Sequence, residues 1–243
     1  MKADYPGAIV VEAATYGYPH KYRGNNWPRA WCLHTPEEKP DDYPGTPYYF
    51  HNLTGRQAST HYFVSFLGFV FQCVPEDAGA YANAVEGRGY PAWADPLENL
   101  NLQTLSIEIE GYAASIHQTM PRGSAQWNAL VKLMAHRCQN TGIPVDRTFG
   151  HKDVSTNRSD PGQLDIQTLI ADVKAEMEDA MTPEQEAKLD QVLAWTKEIW
   201  EYRQQNNDQH AAILAQNQAD IAGGSVSATA QAVVDALVKR LED

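Results

Sequence analysis

Leu105-Ser106-Ile107-Glu108-Ile109-Glu110 alternates apolar and polar residues without a break. Successive side chains of a strand point to opposite faces, so Leu105, Ile107 and Ile109 share one face and Ser106, Glu108 and Glu110 the other. The segment is the clearest strand in the chain. Upstream, residues 61–74 hold two β-rich runs around Leu67-Gly68 and predict a hairpin. Ala30 to His34 is a short apolar run, a buried strand ending at His34. Downstream, Trp127, Leu130, Val131, Met134 and Cys138 lie on one face of a helix. Ser124 stands at its start, and Gly142 with Pro144 ends it. Leu164 to Met181 reads as a second helix. Strands interleaved with helices predict an α/β fold: a mixed central β-sheet flanked by helices.

Residues 1–30 and 35–58 are punctuated by Pro, Gly, Tyr and Asn and read as loop. Composition shifts at Thr182-Pro183-Glu184-Gln185, a helix start with proline at the first helical position. From there no strand signal appears. One helical stretch runs to about Ile221, Gly223-Gly224-Ser225 breaks it, and Val226 to Leu241 forms a last helix. The expected division is a globular region, 1–181, and a helical C-terminal appendage, 182–243. The two apolar stripes of the appendage need a partner, which points to a homo-oligomer through these helices or to a targeting element.

The chain has 243 residues and a net charge of −12, with no basic stripe, so nucleic acid is excluded as a partner. Cys32, Cys73 and Cys138 form no disulfide framework and have no C-x-x-C spacing. The N-terminal residues lack the apolar run of a signal peptide, and no segment approaches the ~18 apolar residues of a membrane span. The expectation is a protein made in the cytoplasm, with no membrane insertion.

Chemistry enters with Trp31-Cys32-Leu33-His34, Gly150-His151-Lys152-Asp153 and Ser159-Asp160-Pro161-Gly162. Two His and one Asp make a three-ligand zinc set with the fourth position open, which is the form of a catalytic site. Cys32, on the same strand face as His34, is an alternative ligand, although cysteine of this kind is usually a core thiol. Hydrolysis at such a metal needs a base and a donor for the developing oxyanion. Either Glu108 or Glu110 could be the base. Arg158 is the cation nearest in sequence to the proposed metal.

These segments resemble the zinc-dependent N-acetylmuramoyl-L-alanine amidases of the type 2 family, whose fold is shared with peptidoglycan recognition proteins. The resemblance rests on Ser59-Thr60-His61-Tyr62 with Gln72-Cys73-Val74, on Leu105 to Gly111, and on Gly150-His151 with Arg158 to Gly162, in family order. It implies Zn²⁺ on His34, His151 and Asp160, and Glu108 acting on the attacking water. Arg158 replaces the family's usual Lys, and Thr60 stands where some phage members carry a catalytic Tyr. Asn83 lies near a usual family His and could bond substrate, and His61 and Trp93 are further candidate substrate contacts. The implied substrate is peptidoglycan or a muropeptide, cut between N-acetylmuramic acid and L-Ala. With no signal peptide and a helical add-on, a phage endolysin is expected, acting on the wall after release. The alternatives are a cytosolic muropeptide-recycling amidase and a non-catalytic peptidoglycan-binding module.

Overall fold

The computed structural model describes residues 1–17, 28–39, 45–178, 191 and 194–198. Six strands form one mixed sheet: β1 (Ile9–Val10), β2 (Ala30–His34), β3 (Tyr62–Val64), β4 (Val70–Gln72), β5 (Thr104–Ile109) and β6 (Thr148–Gly150), in the order β1-β4-β3-β5-β2-β6. Only the β3–β4 pair is antiparallel; the others run parallel. That pair is the hairpin expected at residues 61–74. Its turn is closed by Gly68, which donates to Ser65 O at 2.9 Å. Gly68 has φ +85, and a Cβ there would meet Ala125 O at 2.8 Å, so both conformation and space require glycine.

Helix α1 spans Gly45–Asn52, α2 Ile116–Thr119, α3 Ala125–Thr141 and α4 Ile166–Glu178. Ser124 caps α3 by accepting from the Trp127 N–H, and Gly142 ends it at φ 72. Helix α4 starts where the Asp165 carboxylate accepts the Thr168 N–H at 3.0 Å. Both helices cover one face of the sheet. Trp127, Leu130, Val131, Met134, Leu169 and Val173 pack in one core with Trp31, Leu33, Tyr62, Val64, Leu105, Ile107 and Ile109. The alternation of β5 therefore sorts its apolar side chains onto the helices, as its period predicts. Its polar face is also largely covered: Ser106 and Glu110 are fully buried and Glu108 is partly buried.

Two regions differ from expectation. The Pro- and Gly-rich stretch 35–58 contains α1, because Pro47 falls in the first helical turn, where its missing N–H costs no bond, and Phe50 supplies a buried anchor. Near the N-terminus, Ile9–Val10 adds a two-residue edge strand beside β4. The expected C-terminal appendage, 182–243, lies outside the described residues except for 191 and 194–198, which are helical. No helix among the described residues is long and apolar enough to cross a membrane.

Candidate active site

Strand register builds the site. His34 at the end of β2 is the direct cross-strand partner of Glu108 on β5, and Cys32 pairs with Ser106. On the other side Leu33 pairs with Gly150 of β6, so His151, the next residue, emerges beside His34. Glu108, His34 and His151 therefore stand in a row where parallel strands end, the edge at which open α/β sheets commonly hold ligands.

Asp160 completes the row from a loop held on three sides. Its carbonyl accepts the Lys152 N–H at 2.9 Å, and Lys152 Nζ donates to Gly162 O. Gly162, at φ +65, lies so close to Ala113 that a Cβ would overlap Ala113 O, so only glycine lets the loop pack there. The loop after His34 is tied down from the other side. Glu37, in the left-handed region at φ 59, accepts from Thr35 Oγ1 at 2.9 Å and from the Ala113 N–H at 2.8 Å.

His34, His151 and Asp160 are all buried, and their ligand-type atoms lie within 4.8 Å of one another. Asp160 Oδ2 is 2.9 Å from His34 Nδ1 and 3.4 Å from His151 Nδ1. Ligand atoms around a tetrahedral ion bound at 2.0–2.1 Å are about 3.4 Å apart. The other nitrogen of each ring faces an oxygen: His34 Nε2 is 2.7 Å from Asn83 Oδ1, and His151 Nε2 is 3.2 Å from Ala84 O. Rings that donate through Nε2 turn the lone pairs of both Nδ1 atoms toward the same carboxylate oxygen. Three electron-rich atoms then converge, and a cation between them relieves their repulsion. The donor set fits a metal ion.

Protonation agrees with this. Burial pushes the His34 pKa down, against the pull of Asp160, which favours neutral imidazole. Burial alone would raise Asp160, but the imidazoles of His151 and His34, where they donate or carry charge, outweigh that and hold the carboxyl well below its usual range; a cation among the three would act in the same direction. Neutral imidazole and ionised carboxylate are the forms a metal binds. Cys32 stays a thiol, its pKa raised by burial and by the nearby Asp160 and Glu108.

Beside the cluster opens a cleft of about 810 Å³, lined by His34, Glu108, His151, Arg158 and Asp160 and by Tyr49, Arg56, Tyr81 and Tyr90, among others. Glu108 Oε2 is enclosed without a hydrogen-bond partner. Its pKa is raised well above the usual carboxylate value by burial, then by Asp160 and Glu38, and Arg158 opposes the rise. Glu110 is placed differently, with its Oε2 accepting the Phe66 N–H at the hairpin turn at 2.5 Å. The structure thus separates the two glutamates that the alternating pattern leaves equivalent.

Of the expected substrate contacts, Asn83 lines the cleft, and His61 and Trp93 lie outside its lining. His61 is fully buried; its Nε2 bonds Ala78 O at 2.9 Å and its Nδ1 accepts the Ser106 N–H at 3.0 Å. Trp93 packs on Phe149 with ring centroids 5.8 Å apart, beneath the Arg147 guanidinium. Asn83 reaches the cleft wall but is buried, with its side chain turned to His34. Sequence reasoning missed Lys152, Glu37 and Asn101, which position the loops. Lys152 follows His151 directly, but nothing in that spacing announces a bond to Gly162.

Comparison with known proteins agrees with this geometry. No curated protein sequence matches significantly. Among solved structures, a selenomethionine derivative of AmpD is 20% identical with a TM-score of 0.50, covering 71% of this chain and 99% of its own. A Staphylococcus aureus hydrolase, AmiA, solved with its ligand, is 16% identical with a TM-score of 0.50, covering 73% of this chain and 88% of its own. At these identities the likeness is one of fold. The sequence profile described as N-acetylmuramoyl-L-alanine amidase matches residues 18–163, more than half of the chain and all of the cluster just described. By that match this chain belongs to the N-acetylmuramoyl-L-alanine amidase family of enzymes.

Proposed function

We propose that this protein is a zinc-dependent peptidoglycan hydrolase that cleaves the amide between N-acetylmuramic acid and the L-Ala of the stem peptide, and that it works as an endolysin on intact cell wall. The observation that carries the reading is the convergence of His34 Nδ1, His151 Nδ1 and Asp160 Oδ2 in an open cleft beside Glu108, whose Oε2 has no hydrogen-bond partner. Zn²⁺ held by these three groups would supply a Lewis acid and an acidified water.

The chain's own residues supply the rest. Glu108, with a raised pKa and a free Oε2, takes the proton of the attacking water and returns it to the departing amine. Arg158 lines the same cleft, and its positive charge acts at Glu108. There it can also meet the negative charge developing on the carbonyl oxygen. The buried hydrogen bonds to Asn83 and Ala84 hold the two imidazoles in orientation. The cleft lies within the range of pockets that enclose ligands of drug size, which suits a sugar–peptide junction.

Digestion of purified walls followed by mass analysis of the products tests this. Free stem peptides beginning at L-Ala, with intact glycan strands, are expected. Cleavage within the glycan or the peptide, or binding without release, overturns it. Turnover of soluble muropeptides with intact sacculi untouched would replace the endolysin role by a recycling one.

A further inference from the structure

Asn83 is buried, and each polar atom of its side-chain amide has a partner. Its Nδ2 lies 2.5 Å from Thr104 Oγ1 and 3.3 Å from Ser106 Oγ, and its Oδ1 lies 2.7 Å from His34 Nε2. The Thr104 hydroxyl has one proton, and it is given to Leu100 O at 2.9 Å. Toward Asn83 that hydroxyl can only accept, so the group facing it is the NH₂ end of the amide. The carbonyl end is thereby turned to His34. A carbonyl oxygen has no proton, so the proton of this contact belongs to His34 Nε2. The backbone of Asn83 is held as well: its N–H donates to Asn101 Oδ1 at 2.6 Å, and Asn101 is fixed by Asn99, which accepts the Asn101 N–H at 2.9 Å.

We infer that Asn83 is a positioning residue that locks His34 as the Nε2–H tautomer and so keeps its Nδ1 lone pair aimed at the point shared with His151 and Asp160. The chain of contacts runs Leu100, Thr104, Asn83, His34, with each link fixing the direction of the next. Without the lock a neutral imidazole is free to carry its proton on Nδ1, where it would donate to Asp160 Oδ2 at 2.9 Å and close off the ligand atom. The proton on Nε2 stands on the hydrogen bonds alone; the bare Nδ1 and its consequence for metal affinity rest on the zinc reading above.

The test uses the full-length protein with His ¹⁵N-labelled. Long-range ¹H–¹⁵N spectra of the metal-free form at pH 8 read which His34 nitrogen bears the proton, and competition with a chromophoric chelator reads the Zn²⁺ dissociation constant. Expected in the unsubstituted protein is a protonated Nε2 and a bare Nδ1. Asn83→Asp keeps an acceptor toward His34 Nε2, provided the Thr104 hydroxyl turns its proton from Leu100 O to the new carboxylate, and should keep the tautomer. Asn83→Leu removes the acceptor at similar volume; it should mix the tautomers and weaken Zn²⁺ by about 10–100-fold, the usual cost of losing an outer-shell partner. A proton on Nδ1 in the unsubstituted protein overturns the inference, whichever variant folds. So does an Asn83→Leu protein with unchanged tautomer and affinity, or an Asn83→Asp protein whose tautomers mix as in Asn83→Leu. If the tautomer follows expectation while even the unsubstituted protein fails to bind Zn²⁺, the positioning role is upheld and the zinc reading falls.

Discussion

Two buried polar clusters sit on the same sheet, and they are finished in opposite ways. The first joins β3 and α3 to the N-terminal segment. Arg137 donates from Nε and Nη2 to both oxygens of Glu76, at 2.8 and 2.5 Å, and Tyr62 Oη donates to Glu76 Oε1 at 2.7 Å. Arg137 Nη1 also donates to Asp4 O, and Asp4 Oδ2 accepts from Gln72 Nε2 and the Glu76 N–H. Donors and acceptors match, and the cluster works as a staple. The second is the row of Glu108, His34, His151 and Asp160. There the outer ring nitrogens meet oxygens of Asn83 and Ala84, so on the metal reading the protons point outward and the lone pairs inward. The lesson is that burial and charge alone do not mark a site. An excess of acceptors facing a cleft does, because it is stable only with a cation or a proton supplied from outside.

The sharpest way to break this contrast is to remove the metal. Exhaustive chelation should abolish wall lysis, and Zn²⁺ should restore it, with circular dichroism unchanged because the staple and the helix-packed core do not depend on the site. Full lysis after chelation, verified by metal analysis, would end the metal-centre reading.

Glu108→Gln comes next. Loss of the base should lower kcat/KM by about 10²–10⁴-fold while Zn²⁺ binding persists. The same variant sharpens the electrostatic side. A carboxyl whose folded pKa is raised gives stability below its unfolded pKa and loses it as pH climbs through the folded value. At neutral pH the metal-free Gln variant should therefore melt higher than the parent, by about 2–4 °C for each 1 kcal/mol relieved. An active Gln variant, or a lower melting point, contradicts the assignment. If Glu110→Gln is the inactive one instead, the two glutamates have been exchanged.

Arg137→Leu attacks the other cluster. It strands the buried Glu76 and should cost about 3–5 kcal/mol of stability by denaturant titration. At a temperature where the variant is folded, its kcat should be unchanged. A variant with native stability and reduced kcat would dissolve the distinction between staple and site.

The smallest effect is expected at Arg158→Gln. Arg158 lowers the pKa of Glu108, so its loss should raise that pKa and move the acidic limb of the pH–rate profile to higher pH. A limb that stays in place, or moves down, would show that Arg158 does not act on Glu108.

Much of this was legible in the chain as written. The alternation of β5, the helical stripe of α3 with Ser124 and Gly142 at its ends, and the hairpin around Gly68 follow from local period and turn chemistry, and the structure contains each. Helix α1 was hidden because Pro and Gly mark loops by composition, whereas the buried Phe50 that fixes it depends on distant neighbours. How His61, Asn83 and Trp93 are already held within the protein was hidden for a similar reason. Residue type shows that a side chain is polar or aromatic, but not whether a backbone group elsewhere already holds it.

By itself the sequence determined which donors exist and which strands carry them: two imidazoles, a carboxylate after Arg158-Ser159, and a glutamate on an alternating strand. Those are matters of side-chain chemistry and of a two-residue period. The tertiary structure alone decided which nitrogen of each His faces inward, which of Glu108 and Glu110 meets the cleft, and that Asn83 serves His34. His34 and Asp160 meet across 126 positions, and Asn83 reaches His34 across 49. Contacts at such separations are set by strand register and loop closure, and no local pattern in the chain encodes them.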